Sequence, residues 1–182
     1  MCRRIWERVA SVRVDWDREV AEVTTRDGLG VGSPSASEPA ALPGSPLQQS
    51  VLYDIVATIP TINRVYRESG SVHGVGLFGS AGLICFVEDV ARHNATDIVA
   101  GRMWLDGIDG ADKVLYSTGR LTTEIVDKVA VMGIPTLVSR NGVTHRAVQL
   151  AEKLGVMLVG RARSRQFQVF SAHDRLIFDV DD

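Results

Sequence analysis

The stretch VLYSTGRLTTEIVDKVAVMGIPTLVSRNGVTHRAVQLAEKLGVMLVGR, residues 114–161, carries the reading on which the fold turns. Within it, residues 114–117, 134–139 and 156–161 are short apolar runs with the length and composition of buried strands. Residues 122–132 and 143–154 separate them and place apolar side chains at helical spacing. Strands that alternate with helices in this way imply parallel strands joined by helical crossovers. The expected fold class is α/β, with three layers.

Upstream, residues 72–78 and 83–87 are apolar runs separated by Gly79-Ser80-Ala81-Gly82, which predicts a hairpin. Residues 94–105 read as a helix with Ala95, Ile98, Val99 and Met103 on one side. Val51, Leu52, Ile55, Val56 and Ile59 predict an earlier helix, ended or bent at Pro60. Downstream, residues 167–170 add a strand. At the N-terminus, Val12, Val14 and Trp16 alternate with Arg13, Asp15 and Asp17, the pattern of a hairpin or two strands. Between these parts, 28–47 is dominated by Gly, Ser and Pro and offers little apolar area against chain entropy. Three segments are therefore expected: a β segment over 1–26, a flexible loop over 27–47 and a core domain over 48–182. No internal repeat is present.

Composition narrows the function. The 182 residues are 45% hydrophobic, enough for a sizeable core. Twenty Lys and Arg against 22 Asp and Glu argue against nonspecific duplex binding, so no nucleic-acid partner is expected. No apolar run reaches the ~18 residues of a membrane span, and residues 1–8 lack the apolar core of a secretory signal. Cys2 and Cys85 form neither a disulfide framework nor a zinc-ligand spacing. A soluble, cytoplasmic protein is expected.

Several motifs bear on chemistry. Gly74-Val75-Gly76-Leu77-Phe78-Gly79 matches G-x-G-x-x-G, but an apolar strand follows it where a dinucleotide site needs a helix. Its glycines are read as points of turning or close packing. Glu88-Asp89-Val90-Ala91-Arg92-His93-Asn94 is the densest polar cluster and falls where a strand gives way to a helix. Asp89 or Asn94 can cap that helix, and the cluster can also form a binding site. His73 precedes a glycine that permits close approach of a ligand, or it is a surface loop histidine. Ser117-Thr118-Gly119-Arg120 opens a helix with free N–H groups and a guanidinium, suited to an anion, while Thr122 or Thr123 caps. Arg161, Arg163 and Arg165 share one face if the chain is extended there, either as a phosphate site or as a solvated run. Cys85, in an apolar strand, reads as an inert core thiol.

Taken together these segments resemble one family, the formate dehydrogenase accessory sulfurtransferases (FdhD/NarQ family). That family has a Thr-Gly-Gly-x-His loop, a Glu-Asp-Val-Gly-Arg-His-Asn-Ala segment, a Ser-Gly-Arg strand end and a Leu-Val-Gly strand leading to an Arg-containing loop. This chain has Ser69-Gly70-Ser71-Val72-His73, Glu88-Asp89-Val90-Ala91-Arg92-His93-Asn94-Ala95, Thr118-Gly119-Arg120 and Leu158-Val159-Gly160-Arg161-Ala162-Arg163. Order and spacing agree over residues 47–171, and the first 25 residues match weakly. The resemblance implies a cytidine-deaminase-like mixed sheet without zinc. It implies a homodimer that carries persulfide sulfur from a cysteine desulfurase to the molybdenum bis-molybdopterin guanine dinucleotide cofactor of formate dehydrogenase, with GDP as a mimic of that cofactor. The implied cofactor-binding residues are Gly70, His73, Asp89, Arg92, His93, Asn94, Asp97, Thr118, Gly119, Arg120, Arg161, Arg163, Ser164, Arg165 and Gln166. Among them Asp89, Asn94 or Asp97 is expected to read the guanine edge.

The departures concern the chemistry. The family carries sulfur on a Cys-x-x-Cys loop, and the best match here is Asp27-Gly28-Leu29-Gly30. Neither Asp27 nor Gly30 can form a persulfide, so transfer is expected to be impaired. Ser71 and Ala91 replace family glycines and are expected to crowd a ligand or strain the backbone. The competing readings are transfer through Cys2 or Cys85, and a non-catalytic interaction partner of an intact relative.

Overall fold

A computed structural model of the chain describes residues 9–15, 17–18, 20–25 and 41–180. The chain divides into two compact units between Pro39 and Ala40. In the first, β1 (Val9–Asp15) and β2 (Val20–Thr25) form an antiparallel hairpin that sets Val12 opposite Val23 and Val14 opposite Ala21. The Asp15 carboxylate closes its turn by accepting the N–H groups of Asp17 and Arg18 at 3.1 and 3.0 Å.

The second unit runs β3 (Leu47–Gln48), α1 (Gln49–Ile62), α2 (Arg64–Ser69), β4 (His73–Gly79), β5 (Gly82–Asp89), α3 (Arg92–Leu105), β6 (Val114–Ser117), α4 (Thr123–Val131), β7 (Thr136–Ser139), α5 (His145–Leu154), β8 (Met157–Arg163), β9 (Gln166–Ser171) and β10 (Leu176–Ile177). Six strands form one sheet in the order β5-β4-β6-β7-β8-β9. β6, β7 and β8 are parallel and joined by α4 and α5, as the alternation over 114–161 predicts. β4 runs antiparallel to both β5 and β6, and β9 antiparallel to β8, so the sheet is mixed.

The strands are apolar on both faces because both faces are covered. Leu115, Leu137 and Leu158 pack with Ala95, Val99, Ile125, Val129, Ala147 and Ala151 from α3, α4 and α5. Their neighbours Tyr116, Val138 and Val159 point the other way and pack with Leu52, Ile55, Val56 and Ile59 from α1. The result is helix, sheet, helix: three layers in a mixed α/β unit.

Several local expectations change. α3 starts at Arg92, and Ile98 is 49% exposed while Ala95, Thr96, Val99 and Met103 are buried. At about 100° per residue those four fall on one stripe and Ile98 lies beyond its edge. Pro60 sits inside α1, which continues to Ile62. Of the stretch expected to be a flexible loop, residues 27–40 lie outside the described residues. Its end belongs to the second unit: Leu42 donates its N–H to Leu154 O at 2.9 Å, and Leu47 is buried in β3. Ala91 is extended at φ −117°, and Ser71 is not among the described residues with positive φ, so the expected backbone strain is absent at both. The glycine-rich run is strand β4, turning directly into β5. A Cβ on Gly74 would lie 2.5 Å from Phe86 Cζ, which explains the glycine by ring packing. Among the described residues no helix is long and apolar enough to cross a membrane.

Candidate functional site

Strand direction gathers the motifs. β5, β6, β7 and β8 all point the same way, while β4 and β9 run against them. The ends of the first four and the starts of the other two therefore share one edge of the sheet. His73, Asp89, Thr118–Arg120, Arg140–Asn141 and the β8–β9 turn all lie along it. Loops at the carboxyl ends of parallel strands are where open α/β sheets hold ligands.

On the α3 side of this edge, His73 opens β4 opposite Asp89 at the end of β5. Asp89 does not cap α3. Its Oδ1 instead accepts the Ala91 N–H at 2.8 Å and holds the turn before the helix, whose N-cap Ala91 has no side chain to offer. Arg92 follows, its stem resting on Gly119, where a Cβ would come within 2.7 Å of Arg92 Cδ. Arg92 Nε is buried without a hydrogen-bond partner among the described residues. Burial, and secondarily the Arg92 charge, hold the His73 imidazole below its ordinary value. Thr118 ties β6 to β4: its Oγ1 accepts the Gly74 N–H at 2.8 Å and its own N–H donates to Gly74 O at 2.9 Å. His93 Nε2 lies 3.5 Å from Glu124 Oε2 at the start of α4. Asn94 and Arg120 are exposed. Asp97 sits a turn further along α3, bound to Lys128 Nζ at 2.6 and 2.5 Å. Gly70 ends α2 with φ 66°.

On the α1 side of the same edge, a cavity of about 590 Å³ opens between α1 and the sheet, within the usual range for small-molecule sites. Arg140, Arg163, Ser164 and Arg165 line it from the sheet, with Tyr116 at its floor. Tyr53, Ile59, Pro60 and Asn63 line it from α1 and its end. Of the residues expected to bind a ligand, Arg163, Ser164 and Arg165 line this cavity and the others do not. Tyr116 is 2% exposed, and burial pushes its phenol up to about 12, with Arg140 and Arg163 acting in the opposite direction. Tyr53 anchors the β8–β9 turn twice: its hydroxyl donates to Arg165 O at 3.2 Å, and the Arg165 guanidinium sits 5.7 Å from its ring centroid.

The expectation of three arginines on one extended face fails. Arg161 has φ 54° at a register shift in β8, and Ser164 has φ 53° where the chain reverses into β9. Arg161 is exposed and donates its N–H to Asn141 O at 2.9 Å, and Gln166 is exposed opposite Arg163.

The sequence reading passed over Ser139, Arg140 and Asn141. Ser139 Oγ donates to Gly119 O at 2.6 Å, and Asn141 Nδ2 donates to Thr118 O at 2.5 Å. Arg163 Nε donates to Arg140 O at 3.3 Å. This loop thus joins the two sides of the edge. The signal was available: Ser-Arg-Asn-Gly follows β7 just as Ser-Thr-Gly-Arg follows β6. Asn63 and Tyr53 carried no such signal, because only helix packing brings them to the rim. Cys85 lies on β5, packed against the core, and burial pushes its thiol up, the opposite of an activated nucleophile. No group of three or more His, Cys, Asp or Glu suited to a metal ion occurs among the described residues.

The model of the FdhD/NarQ family matches residues 10–177. Two proteins named sulfur carrier protein FdhD are similar: that of Agrobacterium fabrum is 37% identical over 128 residues, 68% of this chain and 47% of its own length. That of Bacillus licheniformis is 34% identical over 116 residues, 64% of this chain and 44% of its own. The chain thus spans about half the length of the curated relatives it matches. A crystal structure described as that of a formate dehydrogenase accessory protein from Desulfotalea psychrophila superimposes with TM-score 0.80 and 28% identity, covering 94% of this chain and 71% of the other.

Proposed function

This chain belongs to the FdhD/NarQ family, and from that premise we propose that it binds the molybdenum bis-molybdopterin guanine dinucleotide cofactor of a formate dehydrogenase along the sheet edge, with sulfur transfer impaired. The observation that supports the reading best is the cavity, where Arg140, Arg163 and Arg165 face a space of ligand size. A guanine dinucleotide carries phosphates, and guanidinium groups recognise phosphate with paired, charge-assisted hydrogen bonds. Its heterocycle suits the flat apolar wall of Tyr53, Ile59 and Pro60. His73, Arg92, Thr118 and Arg120, on the other side of the edge, offer further contacts to a client longer than one cavity.

The proposed setting is the cytoplasm, with a cysteine desulfurase as donor, a formate dehydrogenase as recipient and a homodimer as the working form. The core is read as a cytidine-deaminase-like layout without zinc, a reading supported by the mixed sheet between helical layers and by the lack of a zinc-ligand motif in the sequence. Impaired transfer rests on Asp27 and Gly30, which stand at the family's thiol positions and lie outside the described residues.

Calorimetric titration with GDP tests the binding. Charge-assisted hydrogen bonds of about 1.5–3 kcal/mol correspond to roughly tenfold or more in affinity. Arg163→Ala and Arg140→Ala are each expected to weaken GDP by at least about that factor. Equal affinity in wild type and both variants removes the cavity as the site.

A further inference from the structure

Asn63 precedes the first residue of α2 and occupies its N-cap position. Asparagine is among the preferred residues there because its side chain accepts the N–H of the second or third helical residue. Here it does not. Those two N–H groups, on Val65 and Tyr66, go instead to the Glu88 carboxylate, to Oε2 at 2.9 Å and Oε1 at 2.8 Å. Glu88 reaches them from β5, across the sheet edge. The main chain of Asn63 is committed as well: its N–H donates to Ile59 O and its carbonyl accepts the Arg67 N–H. The side chain is left over. Asn63 is 7% exposed, lines the cavity, and its Oδ1 has no hydrogen-bond partner among the described residues.

A buried acceptor without a partner is rare and calls for a donor. The donors on the cavity wall, the Tyr53 hydroxyl and the guanidinium groups of Arg140, Arg163 and Arg165, do not bond it. We propose that Asn63 is a specificity-determining residue of this cavity, reading an N–H donor edge on the heterocycle of a nucleoside-diphosphate-like ligand, and that Glu88 frees it for that work by capping α2 in its place. The ligand class follows from the wall: guanidinium groups for a diphosphate, aromatic and prolyl surfaces for a flat ring, and at Asn63 a buried unpartnered acceptor for a ring N–H, with the Asp54 carboxylate also on the lining. The inference rests on the cavity being the binding site.

The test compares three ligands by calorimetry: GDP, purine riboside diphosphate, which has the same ring system without N–H donors, and inorganic pyrophosphate. Wild type is expected to prefer GDP over purine riboside diphosphate by about tenfold, the worth of one good hydrogen bond to a buried group. Asn63→Leu is expected to abolish that preference and leave pyrophosphate affinity unchanged. Asn63→Asp keeps an acceptor at the same place and is expected to retain the preference. Glu88→Gln, which offers one acceptor oxygen in place of two, is expected to reduce it. Overturning results are a wild type that does not distinguish the two nucleotides, or a preference that survives Asn63→Leu. Loss in Asn63→Asp equal to that in Asn63→Leu also overturns it. Should Asn63→Leu fail to fold, the wild-type preference and the Asn63→Asp and Glu88→Gln variants still decide. Pyrophosphate binding that ignores Arg163→Ala marks the failure of the cavity itself, a result separate from any of these.

Discussion

Gly74 and His73 are neighbours in sequence and answer to different forces. Gly74 is glycine because the Phe86 ring occupies the space of a side chain. Gly74→Ala is expected to cost about 1–3 kcal/mol through overpacking, read as a lower urea midpoint with an unchanged slope. A variant as stable as wild type would show that the ring moves freely. His73 is held below its ordinary value of 6.5, chiefly by burial and then by Arg92. In the window below 6.5 the unfolded chain therefore binds more protons than the folded one, and stability falls as pH drops. His73→Gln is expected to flatten that fall as pH drops through 6.5, with little difference from wild type above the window. Parallel pH profiles of the urea midpoint check this, and identical slopes would contradict it. The sequence left the glycine open as a point of turning, of close packing or of ligand approach, and the Phe86 ring decides for packing. The histidine's environment was not, because Arg92 and the strand opposite reach it only through pairing of β4 with β5.

At the level of elements, the proposed binding edge is built by strand ends and braced by the loop after β7. Asn141 holds both flanks, donating to Thr118 O and accepting from Arg161 N–H. Asn141→Ala leaves the Thr118 carbonyl without that donor and frees the loop after β7, whose main-chain carbonyl at 141 still accepts the Arg161 N–H but from a less fixed position. GDP affinity is expected to fall by about tenfold, with faster hydrogen exchange over 160–166 than in wild type. Unchanged exchange there would mean that the β8–β9 arm supports itself. α2 was invisible to the periodicity reading because six residues are too few for a pattern, and a single carboxylate from a distant strand holds its first turn. α4 and α5 were legible because each carries an apolar stripe on its sheet-facing side.

For the molecule as a whole, the proposed division is binding without transfer. Incubation with a cysteine desulfurase and cysteine is expected to load no persulfide onto the chain, in line with the proposed matching of Asp27 and Gly30 to the family's thiol positions. Cys85 is a poor acceptor, since burial raises its thiol and keeps it neutral. Loading that disappears on Cys2→Ala or Cys85→Ala would reverse the reading. The sequence by itself determined the α/β class, the parallel run over β6, β7 and β8, and the family, because apolar periodicity and local motifs are written in neighbouring residues. Only the tertiary structure decided which motif residues meet. Strand order carries Arg163 and Arg165 to α1 while Arg92 and His93 go to the opposite helical layer, and Glu88 takes over the capping of a helix more than twenty residues earlier. Such pairings depend on which strand lies beside which and on the face each side chain takes, and no window along the chain contains that information.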